Sequence, residues 1–122
     1  LIKMINKIPE RIQGEDRMWF ALAAYNIGFG HLEDARKLTQ SQGGNPNKWA
    51  DVRERLPFLA DENWHTKTMH GYARGHEPVK FVKNIRRYYS ILKWKNAEIE
   101  KTAQQRGDQK SRVVPVINSP VF

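Results

Sequence analysis

The feature that most constrains this sequence is a stripe of apolar residues at helical spacing that follows Pro78. A proline in the first turn suits the start of a helix, because the N–H groups there have no partner within the helix. The stripe repeats every three or four residues and fades after Trp94. Its members are Val79, Val82, Ile85, Tyr89 and Leu92. The pattern predicts a long helix that starts at Glu77-Pro78 and carries many basic residues.

Shorter helical patterns precede this helix, separated by glycines and prolines. Helices are predicted over residues 1–8, 15–27, 31–40 and 45–56. Gly28 and Gly30 mark a sharp break after the second of them, Asn45-Pro46 is a cap with proline that opens the fourth, and Pro57 closes it. Residues 58–76 are typical of an irregular polar and aromatic loop, and the tail from Gly107 of an extended segment. No pattern favours a sheet, so the predicted fold class is all-α.

The charge of the chain is concentrated in its last third. The net charge is +8 over 122 residues. Residues 1–79 hold 11 basic and 10 acidic side chains, a balance of +1, and residues 80–122 hold 10 and 3, a balance of +7. A basic segment of this kind indicates either an anionic partner or a solvated helix face. There is no cysteine, which excludes disulfides and thiolate metal sites, and no apolar run reaches membrane-spanning length.

Three ordered motifs resemble one enzyme family. Residues 23–30 read AAYNIGFG, which resembles the AYNxGxG signature of the family-one lytic transglycosylases, whose fold is lysozyme-like. Residues 71–79 read GYARGHEPV and residues 81–89 read FVKNIRRYY, similar to a later motif of that family. The intervening segment, GNPNKWADV at 44–52 followed by RLP at 55–57, resembles one branch in particular. Phe81 stands where many relatives have Tyr.

The resemblance predicts the domain organisation. It covers residues 1–95 in the family's order and spacing, and implies the C-terminal portion of a lysozyme-like helical domain. Residues 96–122 are then a helical extension followed by the extended tail. The family's catalytic Glu lies in a Glu-Ser motif upstream of the AYN segment, and nothing in this chain matches that motif. We therefore expect no catalytic residue here and no activity from this chain alone.

The resemblance also implies a reaction. Lytic transglycosylases cleave the β-1,4 bond between MurNAc and GlcNAc in peptidoglycan without water, and leave a 1,6-anhydroMurNAc end. One Glu acts first as acid and then as base, with no cofactor or metal. The implied location of the intact protein is the periplasm, at the outer membrane. The implied partner is the peptidoglycan glycan strand. Part of a lysozyme-like domain would also expose apolar surface, which predicts self-association of the chain.

Four residues within the motifs are the predicted substrate contacts. Tyr25 and Asn26 end a helix that stops at glycines, where their polar groups can face a cleft. The alternative is a core aromatic followed by a helix cap. Tyr72 either lines that cleft or anchors the loop, and Glu77 either contacts substrate or complements the helix N-terminus. Gly28 and Gly30 are expected to allow a positive φ or a close backbone approach at the site.

Three other readings of the sequence are weaker. The spacing of His65, His70 and His76 matches no common zinc pattern, so no metal site is expected. Trp19 and Trp49 lie on apolar helix faces, which favours core packing over stacking on sugars. The alternative function is a non-catalytic basic helical module that binds glycan, a membrane surface or nucleic acid. No nucleic-acid-binding motif is present, so nucleic acid is not an expected partner.

Overall fold

The computed structural model describes residues 1–105, and all regular structure in them is helical. The elements are α1 Ile2–Lys7, α2 Gly14–Ile27, α3 Phe29–Ser41, α4 Trp49–Val52, a 3₁₀ turn Leu56–Ala60, α5 Glu62–His65 and α6 His76–Gln105. The predicted all-α class is confirmed. The chain divides into a first unit, Leu1–Val82, and a second unit that starts at Lys83 within α6.

Helix α2 is the centre of the first unit. Six consecutive residues from Trp19 to Ala24 are buried, so the helix is covered on every side and not only along one stripe. Three of the six are alanines, which allow neighbouring elements to approach closely. Phe20 meets the edge of Trp49 with ring centroids 5.7 Å apart. Trp19 and Trp49 are both buried, as the sequence predicted.

The break between α2 and α3 is a single residue. Gly28 has φ +102°, a conformation that favours glycine. Its N–H donates to the carbonyl of Ala24 at 2.8 Å, and its own carbonyl accepts from Leu32 N at 3.2 Å. The break is shorter than the predicted one, which included Gly30, because Gly30 already lies in the first turn of α3.

The segment after α3 folds as a turn where a helix was predicted. The Asn45 side chain accepts from the N–H of Asn47 at 2.9 Å, and its backbone N–H donates to Asp51 Oδ2 at 2.7 Å. These bonds satisfy the backbone locally, so α4 starts only at Trp49. Pro57 does not end a helix as predicted. It stands in the first turn of the 3₁₀ element.

Residues 58–76 are more regular than predicted. They contain the end of the 3₁₀ turn and all of α5, whose cap Asp61 accepts from Asn63 N at 2.9 Å. The rings of Phe58 and Trp64 stack with centroids 5.3 Å apart. Short elements of this kind are stabilised by local caps and ring contacts, which helical periodicity does not reveal.

The loop from the 3₁₀ turn to α6 is closed at its base. The N–H of Ala73 donates to the carbonyl of Leu59 at 3.0 Å. Gly75 is buried, and a Cβ there would overlap the carbonyl oxygen of Leu56. Only glycine permits two backbones to approach this closely.

Helix α6 begins one residue before the predicted start and continues to Gln105. None of its five predicted stripe residues is exposed. The helix extends well past Trp94, although the apolar pattern fades there. No helix among residues 1–105 has both the length and the apolar character to cross a bilayer. The predicted extended tail from Gly107 lies outside the described residues.

Arg17 links α2 to the chain that precedes it. One terminal nitrogen donates to the carbonyls of Pro9 and Ile12 at 2.9 and 3.3 Å, and the other to Ile5 at 2.7 Å. These carbonyls lie at the end of α1 and in the turn that follows, and those of Ile5 and Pro9 also accept the backbone N–H groups of Ile8 and Ile12. One guanidinium thus fixes the position of α1 against α2.

Replacement of this guanidinium tests its role. We expect Arg17→Ala to lower the free energy of unfolding by about 2 kcal/mol, because hydrogen bonds to charged groups contribute more than neutral ones. Urea denaturation measures the change. Arg53→Ala is the matched control at an exposed position and should change stability by less than about 0.5 kcal/mol. Equal effects of the two substitutions would contradict the assignment.

Candidate functional site

Tyr25 and Asn26 lie in the last turn of α2 and face solvent. The Tyr25 side chain is 63% exposed, which excludes the alternative of a core aromatic. The α2 cap is Gly28, so Asn26 is not the cap residue either. Neither side chain makes a hydrogen bond to another residue within 1–105. Both polar groups are therefore free of intramolecular partners in this range, at the end of a buried and rigid helix.

Gly30 is approached closely by the ring of His70. A Cβ at position 30 would lie 2.7 Å from two atoms of that ring, which is closer than real contacts allow. The predicted close approach is thus present at Gly30, and the predicted positive φ at Gly28. His70 directly precedes the second motif, so this contact joins the first motif to the second.

Asp34 holds His70 in this position. Its side chain is 1% exposed, one oxygen accepts the backbone N–H of His70 at 2.9 Å, and the other lies 3.2 Å from His70 Nδ1. The second bond forms in the His70 tautomer that carries its proton on Nδ1, with the carboxylate oxygen as acceptor. A buried carboxylate is costly without such partners. Asp34 and His70 together form what we call the Asp34 clamp.

His31 lies beside the clamp, in the first turns of α3. Its ring meets that of His70 edge to face with centroids 6.0 Å apart, and its Cδ2 lies 3.9 Å from where a Gly28 side chain would begin. His31 Nδ1 is buried and has no hydrogen-bond partner within the described part of the chain.

Tyr72 and Glu77 lie beyond the clamp on the second motif. Tyr72 is exposed and meets the His65 ring edge to face at 5.6 Å. Glu77 is exposed in the first turn of α6, with its carboxylate 3.5 Å from His76 Nε2. In that position Glu77 complements the N-terminus of the helix, which was the alternative to a substrate contact, and its carboxylate also stays accessible. Among residues 1–105, neither side chain forms a hydrogen bond, an ion pair or a ring contact with Tyr25 or Asn26, so their shared role stays a prediction.

The clamp was not predicted from the sequence. His31 and Asp34 follow the AYN motif and are three residues apart. This spacing places them on one helix face. A charged residue on a predicted helix is typical of a solvated surface, so the burial of Asp34 was not predicted. The available signal was the position of these two residues next to a glycine-containing motif. Within residues 1–105 no three His, Asp or Glu side chains are grouped as metal ligands.

Comparison with known proteins connects these motifs to named relatives. No protein-family model matches the chain. It is 61% identical over 93 residues to membrane-bound lytic murein transglycosylase F of Ectopseudomonas mendocina, which covers 76% of this chain and 19% of that protein. The protein of the same name from Marinobacter nauticus is 64% identical over 86 residues, covering 70% and 17%. That of Cellvibrio japonicus is 55% identical over 97 residues, covering 80% and 20%.

These similarities confirm the resemblance to lytic transglycosylases. The branch that the sequence resembles is membrane-bound lytic murein transglycosylase F, the name that the cited relatives share. The chain spans about a fifth of the length of these relatives. It is therefore similar to one segment of them.

Removal of the clamp's carboxylate tests its role. We expect Asp34→Ala to lower the free energy of unfolding by about 2 kcal/mol and to accelerate amide exchange at His70, because a backbone donor loses its acceptor. Hydrogen exchange and urea denaturation measure the two effects. His70→Ala keeps the backbone N–H and should cost about 1 kcal/mol with the amide at position 70 still protected. An unchanged exchange rate in Asp34→Ala would show that the carboxylate does not hold the loop.

Proposed function

We propose that this chain is a segment of a peptidoglycan lytic transglycosylase, an enzyme that cleaves the MurNAc–GlcNAc β-1,4 bond and forms a 1,6-anhydroMurNAc end. The observation that carries the proposal is 55–64% identity, over 70–80% of the chain, to proteins named membrane-bound lytic murein transglycosylase F. The contact of Gly30 with His70, which joins two of the motifs behind the resemblance, supports it.

The chemistry of this reaction requires an acid that this segment does not supply. The glycosidic oxygen must be protonated as the bond breaks, and the 6-hydroxyl of the muramic sugar must lose its proton as it attacks the anomeric carbon. In the proposed enzyme a Glu upstream of the AYN motif performs both transfers. This chain alone is then inactive, and its residues bind and orient the glycan.

Tyr25 and Asn26 are the proposed glycan contacts. A phenol and a carboxamide both donate and accept hydrogen bonds, which suits the hydroxyl and N-acetyl groups of the sugars. Their exposure and lack of partners within residues 1–105 support this role. Because α2 is buried along the turns before them, the two side chains start from a fixed backbone.

Tyr72 and Glu77 are proposed to contact the same substrate from the second motif. Tyr72 offers an exposed ring that can stack on a sugar face, and its contact with His65 orients that ring. Glu77 offers an accessible carboxylate for the peptide stem. Gly28 and Gly30 are proposed to serve the site indirectly, by the turn and the close approach that they permit.

We also propose the location and partners of the intact protein. The relatives are named membrane-bound, which supports a place in the cell envelope. The family resemblance extends this to the periplasm and the outer membrane, with glycan strands as the substrate. Self-association of the chain by its apolar surface is part of the same proposal.

A segment exchange tests the proposed function. The 93 aligned residues of the Ectopseudomonas mendocina relative are replaced by the matching residues of this chain, and purified peptidoglycan is digested. We expect mass spectrometry to find 1,6-anhydro muropeptides from the chimera and none from this chain alone. The unmodified relative is the positive control.

Two outcomes would overturn the proposal. A chimera that melts cooperatively and yet releases nothing would show that this segment does not serve the reaction. Hydrolytic ends in place of anhydro ends would show a different reaction. Release by this chain alone would instead locate the acid within it.

The glycan contacts are tested in the same chimera. Tyr25→Phe removes one hydroxyl, and we expect its kcat/KM to fall about fivefold, the equivalent of one net hydrogen bond of about 1 kcal/mol. Asn26→Ala removes a donor and an acceptor and should cost more. Tyr88→Phe, at an exposed tyrosine of α6, is the matched control. Equal rates for Tyr25→Phe and Tyr88→Phe would exclude Tyr25 from the site.

A further inference from the structure

The second unit carries a face of exposed apolar and basic side chains that the proposed function does not use. Residues three and four positions apart on a helix are neighbours, so one line of side chains runs along α6 from Lys83 to Lys95. We call this line the Trp94 face. Its members are Lys83, Arg87, Tyr88, Ile91, Trp94 and Lys95.

The apolar members of this face are open to solvent. Tyr88 is 50%, Ile91 47% and Trp94 63% exposed. The apolar stripe of the helix lies on its other side, where Ile85, Tyr89 and Leu92 are half-buried. The Trp94 face is therefore separate from the packing stripe, and solvation alone gives no reason for two large apolar residues and a tyrosine in one line.

The charge of the same stretch has one sign. Residues 83–97 hold five basic side chains and no acidic one, and all five are exposed. The first acidic residue beyond them is Glu98. An uninterrupted positive potential of this kind attracts an extended anionic surface.

We propose that the Trp94 face binds the surface of an anionic phospholipid bilayer. Tryptophan and tyrosine favour the level of the lipid headgroups, where an apolar ring and a polar tip are both accommodated. Ile91 lies between them and enters the boundary of the acyl chains. Arg87 and Lys95 flank this line and reach the lipid phosphates through their aliphatic stems. The helix lies along the surface and does not span it.

The same residues fit other partners less well. A nucleic acid would stack its bases on Tyr88 and Trp94, and the aliphatic side chain of Ile91 between them offers no stacking surface. A second copy of this chain, docked on the same face, would bring two sets of three positive charges together, those of Lys83, Arg87 and Lys95. A bilayer satisfies both the apolar line and its flanking cations at once.

Vesicle binding by the whole chain tests the proposal. The chain is sedimented with two kinds of vesicle. One is phosphatidylcholine alone, and the other contains about 30% phosphatidylglycerol, which makes its surface anionic. We expect binding to the anionic vesicles to be at least about tenfold tighter, with a blue shift of tryptophan emission. Trp94→Ser should weaken this binding at least about tenfold and remove the blue shift.

A pair of charge reversals separates the face from overall charge. Lys95 belongs to the Trp94 face, whereas Lys93 lies two residues away on the opposite side, with its ammonium 5.2 Å from the Tyr89 ring centroid. Each cation close to an anionic surface contributes about fivefold in affinity, so Lys95→Glu should weaken binding about twentyfold or more. Lys93→Glu carries the same change of net charge and should weaken it less than about fivefold.

Four outcomes would overturn the proposal. They are equal binding to the two kinds of vesicle, equal effects of Lys93→Glu and Lys95→Glu, tight binding to duplex DNA without binding to vesicles, and a stable dimer that Trp94→Ser dissolves. Circular dichroism of each variant confirms that the helix is retained, since all three substitutions are at exposed positions. The test is independent of peptidoglycan cleavage.

Discussion

The pair of hydrogen bonds between the Asp34 carboxylate and His70 decides where the two motif segments meet. A carboxylate with 1% exposure must be partnered, and both partners come from one residue of a loop. Asp34 belongs to α3, so the direction in which α3 points this side chain sets the position of the loop. His70 in turn occupies the space where a side chain at position 30 would lie. A helix, a glycine and a loop thus form one unit, and a change in any of them alters the other two.

The fold also explains why polar side chains appear at the end of the most buried helix. Helix α2 is covered along its middle and ends at Ile27, and α3 begins at Phe29 after the single residue Gly28. Tyr25 and Asn26 emerge at this edge. A binding group on such a helix loses little freedom when a ligand arrives, because its backbone is already fixed by core packing.

Periodicity predicted the long elements and missed the short ones. Helices α1, α2, α3 and α6 start within two residues of their predicted positions, since each has enough turns to show an apolar pattern. The turn at residues 45–48 depends on bonds accepted by the side chains of Asn45 and Asp51, and helix α5 on the bond accepted by Asp61. The exposure of Tyr25 agrees with its predicted role, which stays untested. The Asp34 clamp joins residues 36 positions apart, and no local pattern encodes such a contact.

The closed base of the loop after the 3₁₀ turn has a consequence for how such chains can diverge. The Leu59–Ala73 hydrogen bond and the approach of Gly75 to Leu56 fix both ends of the loop, and the Asp34 clamp fixes His70 shortly before its second end. The residues between Leu59 and His70 take no part in these three contacts, and doubling the length of such a stretch costs only about 0.6 kcal/mol in closure entropy. This stretch can thus change in length or sequence while the start of α6 keeps its position. Position 75 cannot vary in the same way, and a glycine there is a requirement of the scaffold and not of any ligand.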